Sequence, residues 1–170
     1  HFSQLYAWFS WSAAAVFLVY QIAMQNALGS VQSGFESSLG ITERDLAIVS
    51  SSFFVSYALM QVPAGILIDR FGVGWVVPPA CLLLGGGGLI LAYAETMPLA
   101  IFARLLMGFG GSFSFLAVAA VAKRRIVESQ LNVATGLIDC SLGFGAILGA
   151  IGITALLGEL NSWREVLGYS

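Results

Sequence analysis

Two side chains charged at neutral pH, Arg104 and Asp139, fall deep inside long apolar runs of this sequence. An ionisable group in such a run is costly unless protein or water faces it, so each marks a candidate site. Asp139 suits proton or cation coupling, chemistry open to a carboxylate taken out of bulk water. The alternative is that hydroxyls such as Ser141 and backbone carbonyls merely satisfy it. Arg104 offers a rigid fork of donors that either binds an anionic substrate or bonds backbone carbonyls across a helix bundle. A second group of polar residues, Tyr20, Gln21, Gln25 and Asn26, closes the first apolar run. Gln21 and Gln25 share a helix face at i, i+4. Amides facing lipid are unfavourable, so these line an aqueous cavity or join helices by hydrogen bonds. Phe53, Tyr57 and Gln61 form a stripe at helical spacing, read as packing or as further cavity lining.

The elements that must position these residues follow from composition. The 170 residues are 58% hydrophobic and 9% charged, against about 25% charged in a soluble domain. So few charges cannot cover a water-soluble globule, and lipid is the natural cover. Five runs are long enough to cross hydrocarbon, which takes about 20 apolar residues in a helix. They span roughly 6–31, 46–68, 75–94, 99–122 and 131–157, and Trp163 with Arg164 begins a sixth. The expected class is all-α, a polytopic integral membrane protein with helical spans, since a span must satisfy its own backbone.

Charge in the connectors sets the orientation. Arg70 lies in the second connector and Lys123, Arg124 and Arg125 in the fourth, whereas the first holds Glu36, Glu43, Arg44 and Asp45. Basic connectors stay inside, so the N-terminus is expected in the cytoplasm. At 1.5 Å per residue, Arg104 and Asp139 lie roughly 8 Å and 12 Å into the core from opposite sides, leaving roughly 10 Å between their depths. They do not read as a direct ion pair. The acidic first connector is expected to be solvated, with Thr42 or Asp45 capping the second helix.

Other chemistries find little support. The single histidine, His1, excludes a His-based metal cluster, and Cys81 and Cys140 lie within spans as packing residues rather than a disulfide. No basic patch for nucleic acid, phosphate-cradling loop or paired nucleophile and base appears, so an enzyme, a metal site and a bound cofactor are not expected. The chain opens on His1 rather than Met, and is read as a piece of a longer protein.

The turn after the second span carries Gly65, Leu67, Asp69, Arg70 and Gly72 in order. This resembles the loop signature of the major facilitator superfamily, at the span number and on the side where that family places it. The fourth span is similar to the family's fourth-helix signature, with Arg104 followed by Gly108 and a glycine-rich stretch. The fifth, with Gly143, Gly145, Gly149 and Gly152, resembles the glycine-rich helix of the family's proton-driven exporters but lacks their glycine-proline pair, which favours an importer or facilitator. Val73 and Gly74 stand where the family pattern ends in basic residues, a departure that alters the loop's charge network.

The resemblance covers almost the whole chain and implies the N-terminal half of a twelve-helix transporter, a six-helix bundle of two inverted three-helix repeats. It implies a small polar or anionic solute, of the amino acid or organic acid class, moved by alternating access with proton or sodium coupling. Arg104, associated with coupling in the family, would serve there or in the substrate cavity beside Tyr20, Gln21, Gln25, Asn26, Tyr57 and Gln61. Asp139 would couple ions, and Gly65, Asp69, Arg70 and Gly72 would form a gating loop. The expected partners are the solute, the lipid bilayer, most simply an inner cell membrane, and the missing C-terminal half. The alternative is a non-transporting membrane scaffold whose glycine surfaces bind other helices.

Overall fold

Apolar composition produces a chain of long helices, and from residue 71 to residue 128 the junctions between them are only one to four residues long. A computed structural model describes residues 2–30, 40 and 42–152. It contains α1 (Phe2–Ser30), α2 (Glu43–Phe71), α3 (Val73–Ala92), α4 (Met97–Arg125) and α5 (Glu128–Ile147), which continues as a π-helical turn, Leu148–Gly152. All five are long and apolar enough to cross a membrane, and no strand occurs among the described residues. The expected sixth helix near Trp163 and Arg164, and the end of the expected fifth span beyond residue 152, lie outside the described residues.

Local chemistry sets the helix ends. Thr42 caps α2: its hydroxyl accepts from the Asp45 N–H at 3.3 Å, while the Asp45 carboxylate accepts from the Thr42 N–H at 3.1 Å. This reciprocal capping box draws Glu43, Arg44 and Asp45 into the first turn of α2, where a solvated connector had been expected. Glu36 lies outside the described residues. At the other end, Gly72 alone joins α2 to α3. It has φ +83° and ψ 156°, and its N–H donates to the Ile68 carbonyl at 3.0 Å. That backbone conformation is essentially restricted to glycine. Pro98 sits in the first turn of α4, where its missing N–H has no intrahelical acceptor to lose.

α4 is the axis of the bundle. In its apolar stretch 61% of residues are buried, against 22% in α2 and in α5. One apolar cluster joins it to α2 and α3 through Val49, Phe53, Ala80, Leu84, Ala103 and Met107. A second joins it to α1 and α5 through Trp11, Leu18, Val118, Ala122, Ala134 and Ile138. Close approach depends on two glycines: a Cβ on Gly108 would overlap the Phe53 carbonyl and the Ser56 hydroxyl, and one on Gly110 would lie 2.5 Å from the Ala80 carbonyl. Small residues thus let two neighbouring helices seat against one.

Candidate functional site

The site grows from the face of α4 that carries Arg104, Gly108, Gly111 and Ser114. Spacings of four, three and three keep these residues on one stripe. Arg104 is 1% exposed, the largest of the fully buried side chains. Its guanidinium carbon lies 4.9 Å from the centroid of the Phe53 ring of α2, a cation–π contact. Its Nε and Nη1 find no hydrogen-bond partner among the described residues. Leaving a buried cation with free donors costs several kcal/mol, which packing alone does not explain.

Phe53 extends the stripe in two directions. Its ring stacks on Tyr57 at 5.8 Å. A methyl on Gly111 would lie 3.4 Å from the Phe53 ring and 3.1 Å from the Gln21 side chain of α1. Here α1, α2 and α4 converge. Gln21 is fully buried; its amide donates to Gln25 Oε1 at 2.8 Å, and its own oxygen accepts from the Ser114 hydroxyl at 3.0 Å. The amides therefore point into the bundle, as their cost in lipid requires.

Other expected residues fall elsewhere. Tyr20 turns its hydroxyl toward Gly85 of α3, 3.5 Å from where a Cβ would stand, and packs into the apolar core. Asn26 is exposed and bonds back to the Ile22 carbonyl at 2.8 Å. Gln61 is half-buried one turn beyond Tyr57. Asp139 is exposed on α5, and the neighbouring Ser141 hydroxyl donates to the Leu137 carbonyl rather than to it. The clefts of about 350 Å³ along Trp75, Pro79 and Phe109 and of about 570 Å³ along Phe9, Trp75 and Arg125 include neither Arg104 nor the amides.

At the opposite end of α4 lie the residues expected to form a gating loop, of which Gly65, Asp69 and Arg70 fall within α2 and Gly72 alone makes the turn. Gly65 has nothing within 4 Å of a would-be Cβ, while Asp69 and Arg70 are exposed. Asp69 accepts from Arg124 of α4 at 2.7 Å. Trp8 of α1 donates to Gln130 of α5 at 3.2 Å near the same end. Sequence reasoning missed Ser114, Arg124 and the role of Phe53. Ser114 was visible as a hydroxyl inside an apolar run, whereas the other two depend on which helices meet.

Five apolar helices around a buried, partly unpartnered arginine define an integral, multi-pass membrane protein. The chain matches the family model of the Major Facilitator Superfamily over residues 2–169, and it belongs to that family. It is 30% identical over 144 residues to the uncharacterized transporter YybO of Bacillus subtilis, covering 85% of this chain and 32% of that protein. It is 31% identical over 137 residues to the human voltage-gated purine nucleotide uniporter SLC17A9, covering 77% and 31%. It is 30% identical over 138 residues to a protein of Arabidopsis thaliana named probable anion transporter 6, chloroplastic, covering 81% and 25%. The chain thus spans between a quarter and a third of the length of these relatives.

Proposed function

We propose that the chain is the N-terminal half of a secondary active transporter that carries a small anionic solute, of the organic acid or amino acid class, by alternating access. One observation carries this reading: a fully buried guanidinium with two donor atoms that find no partner among the described residues, on the most buried of the described helices. Such a group suits a carboxylate or phosphate arriving from water, which it can grip with two parallel hydrogen bonds. The relatives named for purine nucleotides and for anions agree with a cationic site. Gln21, Gln25 and Ser114 supply neutral donors and acceptors deeper along the same stripe, and Tyr57 and Gln61 border it. α2 and α5, the helices buried least, face the C-terminal half across a midplane cavity. Asp139, exposed on α5, is the proton- or cation-coupling group. The N-terminus lies in the cytoplasm, with the basic ends of α2 and α4, and the membrane is the inner cell membrane.

The test is uptake by the full-length protein in proteoliposomes, across a panel of amino acids, organic acids, nucleotides and neutral solutes, with and without a pH gradient. Saturable uptake of an anion, accumulated by the gradient, is expected. Asp139→Asn is expected to keep downhill exchange and lose accumulation; accumulation at the unaltered level removes Asp139 from coupling. Uptake of neutral solutes alone overturns the anionic assignment.

A further inference from the structure

Hydrogen-bond direction along the amides of α1 is set by a single proton. Gln21 is fully buried, and its nitrogen donates to Gln25 Oε1 at 2.8 Å. Its oxygen faces the Ser114 hydroxyl of α4 at 3.0 Å, while the same hydroxyl stands 2.8 Å from the Gly111 carbonyl. Ser114 has one proton for these two acceptors. The Gly111 carbonyl already accepts within its own helix. The Gln21 oxygen has no other donor among the described residues, and a buried acceptor left unpaired is costly. The proton therefore goes to Gln21. With its oxygen held by Ser114, Gln21 presents only N–H to Gln25. Gln25, its own oxygen taken, is left with an amide nitrogen that donates to nothing among the described residues.

Depth brings that nitrogen beside Arg104. α1 runs antiparallel to α4, since Arg125 at the end of α4 lies over the Tyr6 ring near the start of α1. Gln21 meets α4 at Gly111, where a Cβ would lie 3.1 Å from its side chain. Gly111 is seven residues past Arg104, about 10 Å along the axis, and Gln25 is one turn beyond Gln21, about 6 Å back toward the Arg104 level. The residues that carry the unpartnered Arg104 Nε and Nη1 and the Gln25 nitrogen thus stand within about 5 Å of one another in depth. We infer that Gln25 is the second donor of the anion site, and that Ser114 is the positioning residue which, through Gln21, keeps the N–H groups of Gln25 free for the ligand. The assignment rests on the transporter reading above and deepens it. A site that shows only donors takes a carboxylate or phosphate, whose oxygens all accept. It rejects an amide end, whose N–H meets no acceptor. Arg104 alone attracts any anion; the chain behind Gln25 adds discrimination by hydrogen-bond polarity.

The experiment measures binding by the full-length protein in detergent, as the ligand-dependent rise in unfolding temperature. The probes are two acids, each set against its amide: succinate against succinamide, and glutamate against glutamine. The unaltered protein is expected to bind at least one acid more tightly than its amide. Gln25→Met should weaken acid binding about tenfold or more, the loss of a donor to a charged group. Ser114→Ala should weaken it about three- to tenfold. By freeing Gln21 and Gln25 to turn over, it should also lower the acid-over-amide preference by about threefold or more. Ser114→Thr, which keeps the hydroxyl, should retain most of both. A lower unfolding temperature in Ser114→Ala with the preference unchanged marks a hydroxyl that only joins α1 to α4, and overturns its positioning role. Equal binding of acid and amide by the unaltered protein overturns the donor-only site. Where a Ser114 variant loses its monodisperse gel-filtration peak, Gln25→Met decides, together with Gln25→Glu, whose carboxylate should abolish acid binding. Uptake of the same acids is measured in proteoliposomes. An unaltered protein that neither binds nor carries either acid sinks the carboxylate reading itself, whereas acid binding kept in Gln25→Met sinks only this inference.

Discussion

Arg104 sets function against stability within a single side chain. Its burial without full hydrogen bonding costs the fold, so replacing it with a flexible apolar residue of similar length removes a penalty as well as a ligand. Arg104→Met is expected to raise stability of the full-length protein in detergent by about 1–3 kcal/mol, read by thermal unfolding, and to lower anion uptake at least tenfold. An arginine that only staples helices gives the opposite result, a lower unfolding temperature. Gly72 is a purely conformational counterpart. Any side chain there is forced into a backbone region reserved for glycine, so Gly72→Ala is expected to cost about 1–3 kcal/mol in the same assay. A neutral result shows that the turn relaxes to another conformation. That Arg104 and Gln21 lie inside the bundle was legible from the cost of facing them to lipid, whereas Asp139, singled out on the same ground, is exposed on α5. Their partners were not legible, since the Phe53 ring and the Ser114 hydroxyl reach the stripe only through the crossing of α2, α4 and α1.

Among the helices, glycine has two distinct uses. Gly108 and Gly110 are contact surfaces, with the backbones of α2 and α3 where a methyl would go. Gly65 on α2 has nothing within 4 Å of a would-be Cβ among the described residues. Gly108→Ala is expected to destabilise by about 1–3 kcal/mol through overpacking. Gly65→Ala is expected to stabilise α2 by about 0.5–1 kcal/mol, the ordinary gain of alanine over glycine in a helix. If Gly65→Ala slows transport nonetheless, the space beside it belongs to the other half; unchanged transport removes Gly65 from the gate. The type of the helices and the places of five of them were readable because a bilayer demands uninterrupted apolar length, and five such helices are present among the described residues. The helix ends depended on chemistry that the hydropathy pattern does not record. Mutual hydrogen bonds between Thr42 and Asp45 extend α2 outward past its charges, and glycine-rich α5 widens into a π-helical turn at Leu148–Gly152.

For the molecule in its membrane, the controlling prediction is topological. The Asp69–Arg124 bond puts the ends of α2 and α4 on one side, and α3, an antiparallel return between them, carries Glu95 to the other. Single cysteines at Arg70 and Arg124 are expected to label from the cytoplasm, and one at Glu95 from outside, with a membrane-impermeant maleimide on intact cells. Labelling of Arg70 and Arg124 sites from opposite sides would falsify the topology. The one-residue junction at Gly72 imposes a further constraint on the whole assembly. Each residue of an α-helix turns about 100° around its axis, so α2 and α3 are locked in rotational phase like two gears on a keyed shaft. Inserting a single residue beside Gly72 would rotate every side chain of α3 by more than a quarter turn relative to α4, carrying Ala80 and Leu84 out of mesh while leaving composition, hydropathy and span count untouched.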